Sequence, residues 1–564
     1  MNFSQYPYAR PDMEQVKSRF AGLIGQFGQA ASFAEQSQAL EELNRYRWQF
    51  ESMRDLVYVR HTVDTGDAFY ERENEFFDEA EPVYQGLVTD YYRALLHSRF
   101  RGELEEQWGP QLFRLAELTL STFKPEVLED LQTENKLVSE YVKLLASAKI
   151  SFRGSEFTLS QMTPYRLSTD RATRKEASDA SYRFFAENGE QLDELYDQLV
   201  KIRTEIALKL GFPSFTELAY ARLNRTDYGP EEVAVFRKQV EERIVPAAQR
   251  LKERQRRRLD VPALTYYDDK FSYASGNAKP KGDVQWILER GQRMYNELSP
   301  ETGEFFSFMQ DNGLMDLESK TGKAGGGYCT HFPVHQAPFI FANFNGTAGD
   351  IDVLTHEAGH AFQYYMSRSY LPPEYHFPTL EACEIHSMSM EFLAWPWMEL
   401  FFEADTEKYM FSHLSGSLLF IPYGVAVDEF QHAMYANPEL TGAQRKQVWR
   451  DIERKYLPHL DYAENAYLEV GGFWQQQRHI YKSPFYYIDY TLAQLCAFQF
   501  WVKAQDGAEA AWEDYLRLCR AGGSKPFTEL VELAGLVSPF RDGCVDAVTG
   551  KIEAWLERVD DAAL

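Results

Sequence analysis

The densest chemistry in the chain lies in five consecutive residues, His356-Glu357-Ala358-Gly359-His360. Histidines four apart share one face of an α-helix, so both imidazoles can reach a single divalent cation. Glu357 is rotated off that face, able to reach the open side of the cation rather than bind it. In such a centre Zn2+ lowers the pKa of its water to roughly 7 and the glutamate takes the proton. Asp350 and Asp352 predict the start of the helix that carries the motif. With 12 histidines in 564 residues, and counting every acidic residue as a glutamate, chance supplies about 0.04 such motifs. The pattern therefore points to a metal-dependent hydrolytic site rather than to two histidines on an ordinary helix.

A site of this type needs a third protein ligand and keeps a fourth position open for water. Candidates stand in Leu380-Glu381-Ala382-Cys383-Glu384-Ile385-His386-Ser387-Met388-Ser389-Met390-Glu391. Twenty-four residues separate His360 from Glu384, enough for the first helix to end, a loop at Leu371-Pro372-Pro373, and an antiparallel return. Glu381 and Glu384 share a helix face, so spacing alone does not choose between them. His386 is a further candidate, directed elsewhere if Glu384 faces the metal. Glu391 returns to the face of Glu384 and could accept a hydrogen bond from a ligating imidazole.

The elements that must hold these residues read mostly as helix. Apolar spacing predicts helices over roughly 33–62, 68–100, 110–148, 171–211 and 230–258. Alternation around Gly154 predicts a hairpin over 149–159, and Pro338–Phe344 has the length and composition of a strand. Three glycines, Gly325 to Gly327, make a loop that another backbone can approach closely. Arg254 to Arg258 reads as the solvated end of a helix. We expect an N-terminal helical lobe over 1–205 and a catalytic lobe over 206–564.

Composition narrows the function further. There are 59 basic and 85 acidic side chains, a formal charge of −26. This speaks against nucleic-acid binding, which needs a basic footprint, and against docking on anionic membranes. Five cysteines with no CxxC spacing suit a reducing compartment. The polar start, MNFSQYPYARPDMEQ, lacks the apolar run of a signal peptide, and no run of eighteen apolar residues occurs. The expectation is a cytoplasmic protein; no feature specifies an oligomeric state.

GGGYCTHFP (325–333), PFIFANFNGTAGDIDVLTHEAGHAF (338–362) and EACEIHSMSME (381–391) follow in an order and spacing that resemble the oligoendopeptidase F family, within the thimet-oligopeptidase-like zinc metallopeptidases. ISFRGSEFTLSQM (150–162) and His479-Ile-Tyr-Lys-Ser-Pro-Phe-Tyr-Tyr-Ile-Asp-Tyr490 resemble it too. The likeness covers most of the chain and is densest from about 320 to 395.

The resemblance implies a mainly α, two-lobed helical ellipsoid with a deep central channel and a small β-sheet beside the HExxH helix. It implies one Zn2+ per chain on His356, His360 and Glu384, with Glu357 as general base. It implies that His479 and Tyr490 face the reacting carbonyl, with Tyr486 and Tyr487 as alternatives or as substrate contacts. The substrates implied are short unstructured peptides, which a narrow channel admits while rejecting folded chains. The strand at 338–344, through Phe341 and Ala342, would then pair with substrate backbone, and Gly326 and Gly327 would add amides across from it. Zinc exopeptidases of carboxypeptidase or peptidyl-dipeptidase type are the nearest rivals, and they require a terminus-recognition site. A peptide-binding protein with a structural zinc is disfavoured by Glu357, since such a site needs no base.

Overall fold

Capping and proline chemistry set the helix ends. The computed structural model describes residues 1–320 and 322–564. Ser32 accepts a hydrogen bond from the Glu35 amide and starts the helix Phe33–Val63, matching the expected one. The stretch expected as one helical region over 110–148 is two helices, Pro110–Ser121 and Leu128–Ala146. Lys124 precedes Pro125 and takes extended backbone, which separates them. Likewise 171–211 divides at Asn188 into Arg171–Glu187 and Gly189–Leu210. Over 230–258 the helix is continuous but widens to one π turn, Val240–Ile244. The widening lies just before Pro246, which has no N–H to give the preceding turn.

The molecule is mainly helical with two small sheets. The first is a hairpin, β1 (Ile150–Phe152) with β2 (Ser155–Phe157), turning through positive φ at Arg153 and Gly154. The second holds β3 (Met315–Glu318), β4 (Tyr328–Phe332) and β5 (Ala337–Phe344) in the order β3-β5-β4. β5 runs parallel to β3 and antiparallel to β4.

That order corrects one expectation. β5 is the central strand, hydrogen-bonded on both sides, and Phe341 and Ala342 are fully buried. Phe341, in register with Asp316 on one side and Tyr328 on the other, has no backbone edge left for a substrate, and the Ala342 carbonyl accepts from Lys323 Nζ. β4 is an edge of this sheet, and an extended peptide could add only at an edge.

Apolar side chains of the first five long helices, among them Phe20, Leu40, Tyr84, Leu104 and Leu112, close a core of their own. Leu137, Leu192, Leu199 and Ile206 join a larger core that also contains Leu56, Phe362 and Ile385, and the hairpin closes a small cluster with Met162 and Ala177. Residue 205, the expected lobe boundary, falls inside the helix Gly189–Leu210.

The helix Thr406–Ala436 lies in a segment long and apolar enough by composition to cross a membrane. Leu414, Leu418, Ile421, Val425 and Phe430 on it are fully buried in the larger core. The arginine run departs from the solvated end expected. Arg254 donates to the carbonyls of Leu556 and Val559, and Arg254 and Arg258 both pair with Asp561. These two residues, four apart, pin the C-terminal segment, while Arg256 and Arg257 pair with Glu253.

Candidate metal centre and active site

The motif lies on the helix Gly349–Ser367, here the signature helix. It begins one residue before the expected acidic start, where Asp350 accepts the amides of Asn345 and Gly346 and fastens the turn after β5. The chain returns through a loop into a second helix, Leu380–Leu393. Gly359 explains how closely the two helices pack. A Cβ there would stand 2.7 Å from both the His386 carbonyl oxygen and the Ser387 Cα. Helices near the N-terminus grip the connecting loop. Arg47 pairs with Glu374 at 2.8 Å in a buried position, and the Tyr375 hydroxyl donates to the Trp108 carbonyl and accepts from the Leu112 amide.

This packing brings His356, His360 and Glu384 together, with their ligand atoms within 4.8 Å of one another. Glu384 Oε2 is 3.3 Å from His356 Nε2 and 3.6 Å from His360 Nε2. Burial disfavours charge on Glu384, but the two histidines outweigh it and hold its carboxyl well below the usual range. Burial also opposes a charge on His356, and Glu384 and Glu391 more than offset it. The same carboxylate that favours a proton on His356 would favour a divalent cation in its place. Two imidazole nitrogens and one carboxylate oxygen are the donor set of an open zinc site.

The alternatives are directed elsewhere. Glu381 is buried against the Tyr228 hydroxyl, 3.1 Å away, in the field of Arg225. His386 is fully buried, its Nδ1 2.8 Å from the Ala382 carbonyl. The Ser387 hydroxyl donates to Glu384 Oε2 at 3.0 Å.

Glu391 lies where the helical repeat puts it, 2.7 Å from His356 Nδ1. Its other oxygen is 2.7 Å from His413 Nε2, on the helix Thr406–Ala436. The Trp395 indole donates to His413 Nδ1 at 3.2 Å. That nitrogen is therefore an acceptor, and Nε2 carries the hydrogen given to Glu391. The Tyr409 ring stacks on His413, and its hydroxyl donates to Asp352 Oδ1 at 2.6 Å. His413, Trp395 and Tyr409 were not found from the sequence.

Glu357 is buried beside the cluster, its Oε2 without a hydrogen-bond partner among the described residues. Burial pushes its carboxyl up, against the opposing pull of His360 and His356. Gly327 borders it: a Cβ there would be 3.6 Å from Glu357 Oε1 and 3.5 Å from the Phe341 carbonyl. Gly326, at φ +101°, is exposed, and its carbonyl accepts from Asn343 Nδ2 at 2.8 Å. Asn343, on β5, thus ties the glycine loop to the sheet.

Residues 165–549 match the model of peptidase family M3, and residues 3–123 match the peptidase M3 N-terminal domain. The chain belongs to peptidase family M3. It is similar over its whole length to the solved structure of PZ peptidase A with an inhibitor, at 61% identity and a TM-score of 0.92, covering all of both chains. A structure named for an oligoendopeptidase F from Bacillus anthracis str. Ames is 56% identical, with a TM-score of 0.89, covering 100% of this chain and 99% of that one. A curated oligoendopeptidase F homolog of Borreliella burgdorferi is 26% identical over 249 residues, 42% of this chain and 41% of its own length. Oligoendopeptidase F of Lactococcus lactis subsp. cremoris is 24% identical over 281 residues, 48% and 44%. The matched stretch thus spans under half the length of these curated relatives.

In this M3 peptidase the late segment also reaches the centre. The Tyr486 hydroxyl donates to Glu384 Oε1 at 3.3 Å, and the Tyr490 ring lies 4.9 Å from that of Tyr486. Burial, and the nearby charges of Glu384 and Glu357, push the Tyr490 phenol up to about 12. Tyr487 faces the other way, its ring 4.9 Å from His479 and 5.8 Å from Tyr423. His479 accepts the Gln477 amide at Nδ1, 2.8 Å away, and the same Gln477 accepts the Tyr423 hydroxyl through Oε1. Burial, then the charges of Lys482 and Arg478, lower His479 to about 4, so it is neutral near pH 7 with hydrogen on Nε2. Arg225 fixes the segment from beneath, pairing with buried Asp489 and donating to the Phe485 carbonyl.

Proposed function

We propose that this M3 peptidase is a zinc-dependent oligoendopeptidase that hydrolyses internal bonds of short, unstructured peptides. The observation that carries the reading is the convergence of His356, His360 and Glu384 next to a buried, unpartnered Glu357 oxygen. Those three residues would hold one Zn2+ per chain. The chemistry such an ion supplies when bound is that of a Lewis acid, acidifying water and polarising a carbonyl.

The remaining steps belong to side chains of this chain. Glu357 takes the proton of the attacking water, a role favoured by its raised carboxyl, and passes it to the departing peptide nitrogen. Tyr490, with Tyr486 beside it, donates a phenolic hydrogen bond to the carbonyl oxygen as charge develops there. Neutral His479 offers Nε2–H in the same quarter. Glu391 and His413 keep the His356 ring turned so that its Nε2 is free to ligate. Five cysteines, none in a disulfide, support a reducing compartment such as the cytoplasm.

The test is digestion of a peptide mixture with both ends blocked, with and without chelator, followed by mass spectrometry. Cleavage within blocked peptides that stops with chelator and returns with zinc is expected. Cleavage only of peptides with a free end would identify an exopeptidase. No cleavage by zinc-loaded protein would leave a peptide-binding protein.

A further inference from the structure

Beyond Tyr487 lies a cavity of about 400 Å3, within the size range of small-ligand sites. Two residues of its wall touch His479 or the group that holds it. Tyr487 lines it and packs on His479, and Tyr423 lines it and holds Gln477, which orients His479. Much of the remaining lining is aromatic, including Tyr182, Phe420 and Phe473.

Its cations are not equivalent. Lys252 is paired with Asp269 at 2.7 Å, and Arg258 is paired with Asp561. Lys270 is held out in solvent. Arg166 is half-buried in the wall and, among the described residues, has no carboxylate partner; its guanidinium lies over the Tyr182 ring and donates to the Tyr182 hydroxyl at 3.4 Å. Two further cations without a carboxylate partner among the described residues, exposed Arg478 and Lys482, flank His479 in the chain.

Arg166 is also held firmly. It ends the short helix Thr163–Arg166 that follows the β1–β2 hairpin. The neighbouring Tyr165 packs on Phe152 of β1 and Phe157 of β2, and Met162 is fully buried. The hairpin thus supports the turn that carries Arg166.

We propose that this cavity is a peptide subsite in which Arg166 binds a carboxylate while the aromatic wall covers the adjoining apolar part of the peptide. The proposal rests on the peptidase reading above. A guanidinium pairs with a carboxylate through two parallel hydrogen bonds, and partial burial strengthens the pair. The carboxylate has two sources, the C-terminus of the peptide or an Asp or Glu side chain, and both offer the same chemistry.

The experiment measures kcat and KM of the zinc-loaded full chain on one peptide in four forms. The C-terminus is free or amidated, and one internal position is Asp or Asn. For the native protein, losing the recognised carboxylate should raise KM about 10-fold, as expected for a lost charge-assisted hydrogen bond. Whichever arm shows the effect identifies the source. In Arg166→Met the ratio between acid and neutral forms should fall towards one, and Arg166→Lys should restore part of it. Equal KM ratios in native protein and Arg166→Met, with peptides still cut, would overturn the subsite. If the native protein cuts none of the four peptides, it is the peptidase reading that fails.

Discussion

His413 Nε2 lies 2.7 Å from Glu391 Oε2, while the other oxygen of that carboxylate is 2.7 Å from His356 Nδ1. One half-buried carboxylate therefore orients a candidate metal ligand on one helix from an imidazole on another. Loss of an outer partner of this kind costs roughly 10- to 100-fold in metal affinity. His413→Ala is expected to weaken zinc binding about 10-fold, at the lower end because it acts through Glu391. Trp395→Phe, which frees the tautomer of His413, should weaken it less. Competition against a chromophoric chelator measures both, and native affinity in His413→Ala would uncouple it from the centre.

Glu357 should separate binding from turnover. Glu357→Gln keeps the shape of the side chain and removes its basicity. Zinc content should stay at one per chain, while kcat falls on the order of 100-fold or more. Mass spectrometry of the native protein gives the first quantity and a quenched-fluorescence peptide assay the second. Near-native turnover would take Glu357 out of the reaction.

The choice between two carboxylates gives a third expectation. Glu384→Ala removes one of three converging ligands and should abolish stoichiometric zinc. Glu381→Gln should retain it, because Glu381 faces Tyr228 and Arg225 one turn away. A full zinc complement in Glu384→Ala, with Glu381→Gln depleted, would reverse the assignment.

That pair also marks how far the sequence could be read. Helical spacing put Glu381 and Glu384 on one face and could not choose, since the choice depends on which neighbour each meets. Ser387 and Glu391, on the same helix, have physical roles: one donates to Glu384 and the other holds His356. His413 was illegible because it lies on a separate helix, brought to Glu391 only by tertiary packing. The central place of β5 was hidden for a similar reason. Its partner β3 is four residues long and joins it in parallel, which no local alternation reveals. The helices were legible from apolar period, except where Pro125, Pro246 and Asn188 interrupt it.

Gly359 links motif and packing. An alanine Cβ would lie 2.7 Å from backbone atoms of His386 and Ser387, and backbone cannot swing aside as a side chain can. Gly359→Ala should destabilise the protein by about 1–3 kcal/mol and, by parting the two helices, weaken zinc binding. Gly325→Ala, with nothing within 4 Å of its Cβ, should shift stability by less than about 0.5 kcal/mol. Thermal melts compare the two, and equal melting temperatures would show that the helix pair tolerates the methyl group.

Acid should weaken the fold through buried neutral histidines. His376 sits among Trp48, Tyr364 and His331, with Nε2 2.9 Å from the Tyr370 carbonyl. Burial lowers it to about 4, and burial followed by the charges of His376 and Arg54 pushes His331 well below its usual value. The unfolded chain, with histidine near 6.5, therefore binds more protons than the folded one between about pH 6.5 and 4. Stability from these groups is fully present above about pH 6.5 and is lost as pH falls towards the folded values. For His376 alone the loss between pH 7 and 5 is on the order of 2 kcal/mol. Urea unfolding at pH 7, 6 and 5 should show this slope, and His376→Gln, which keeps a donor towards Tyr370, should flatten it. An unchanged slope in the variant would mean that the acid sensitivity arises elsewhere.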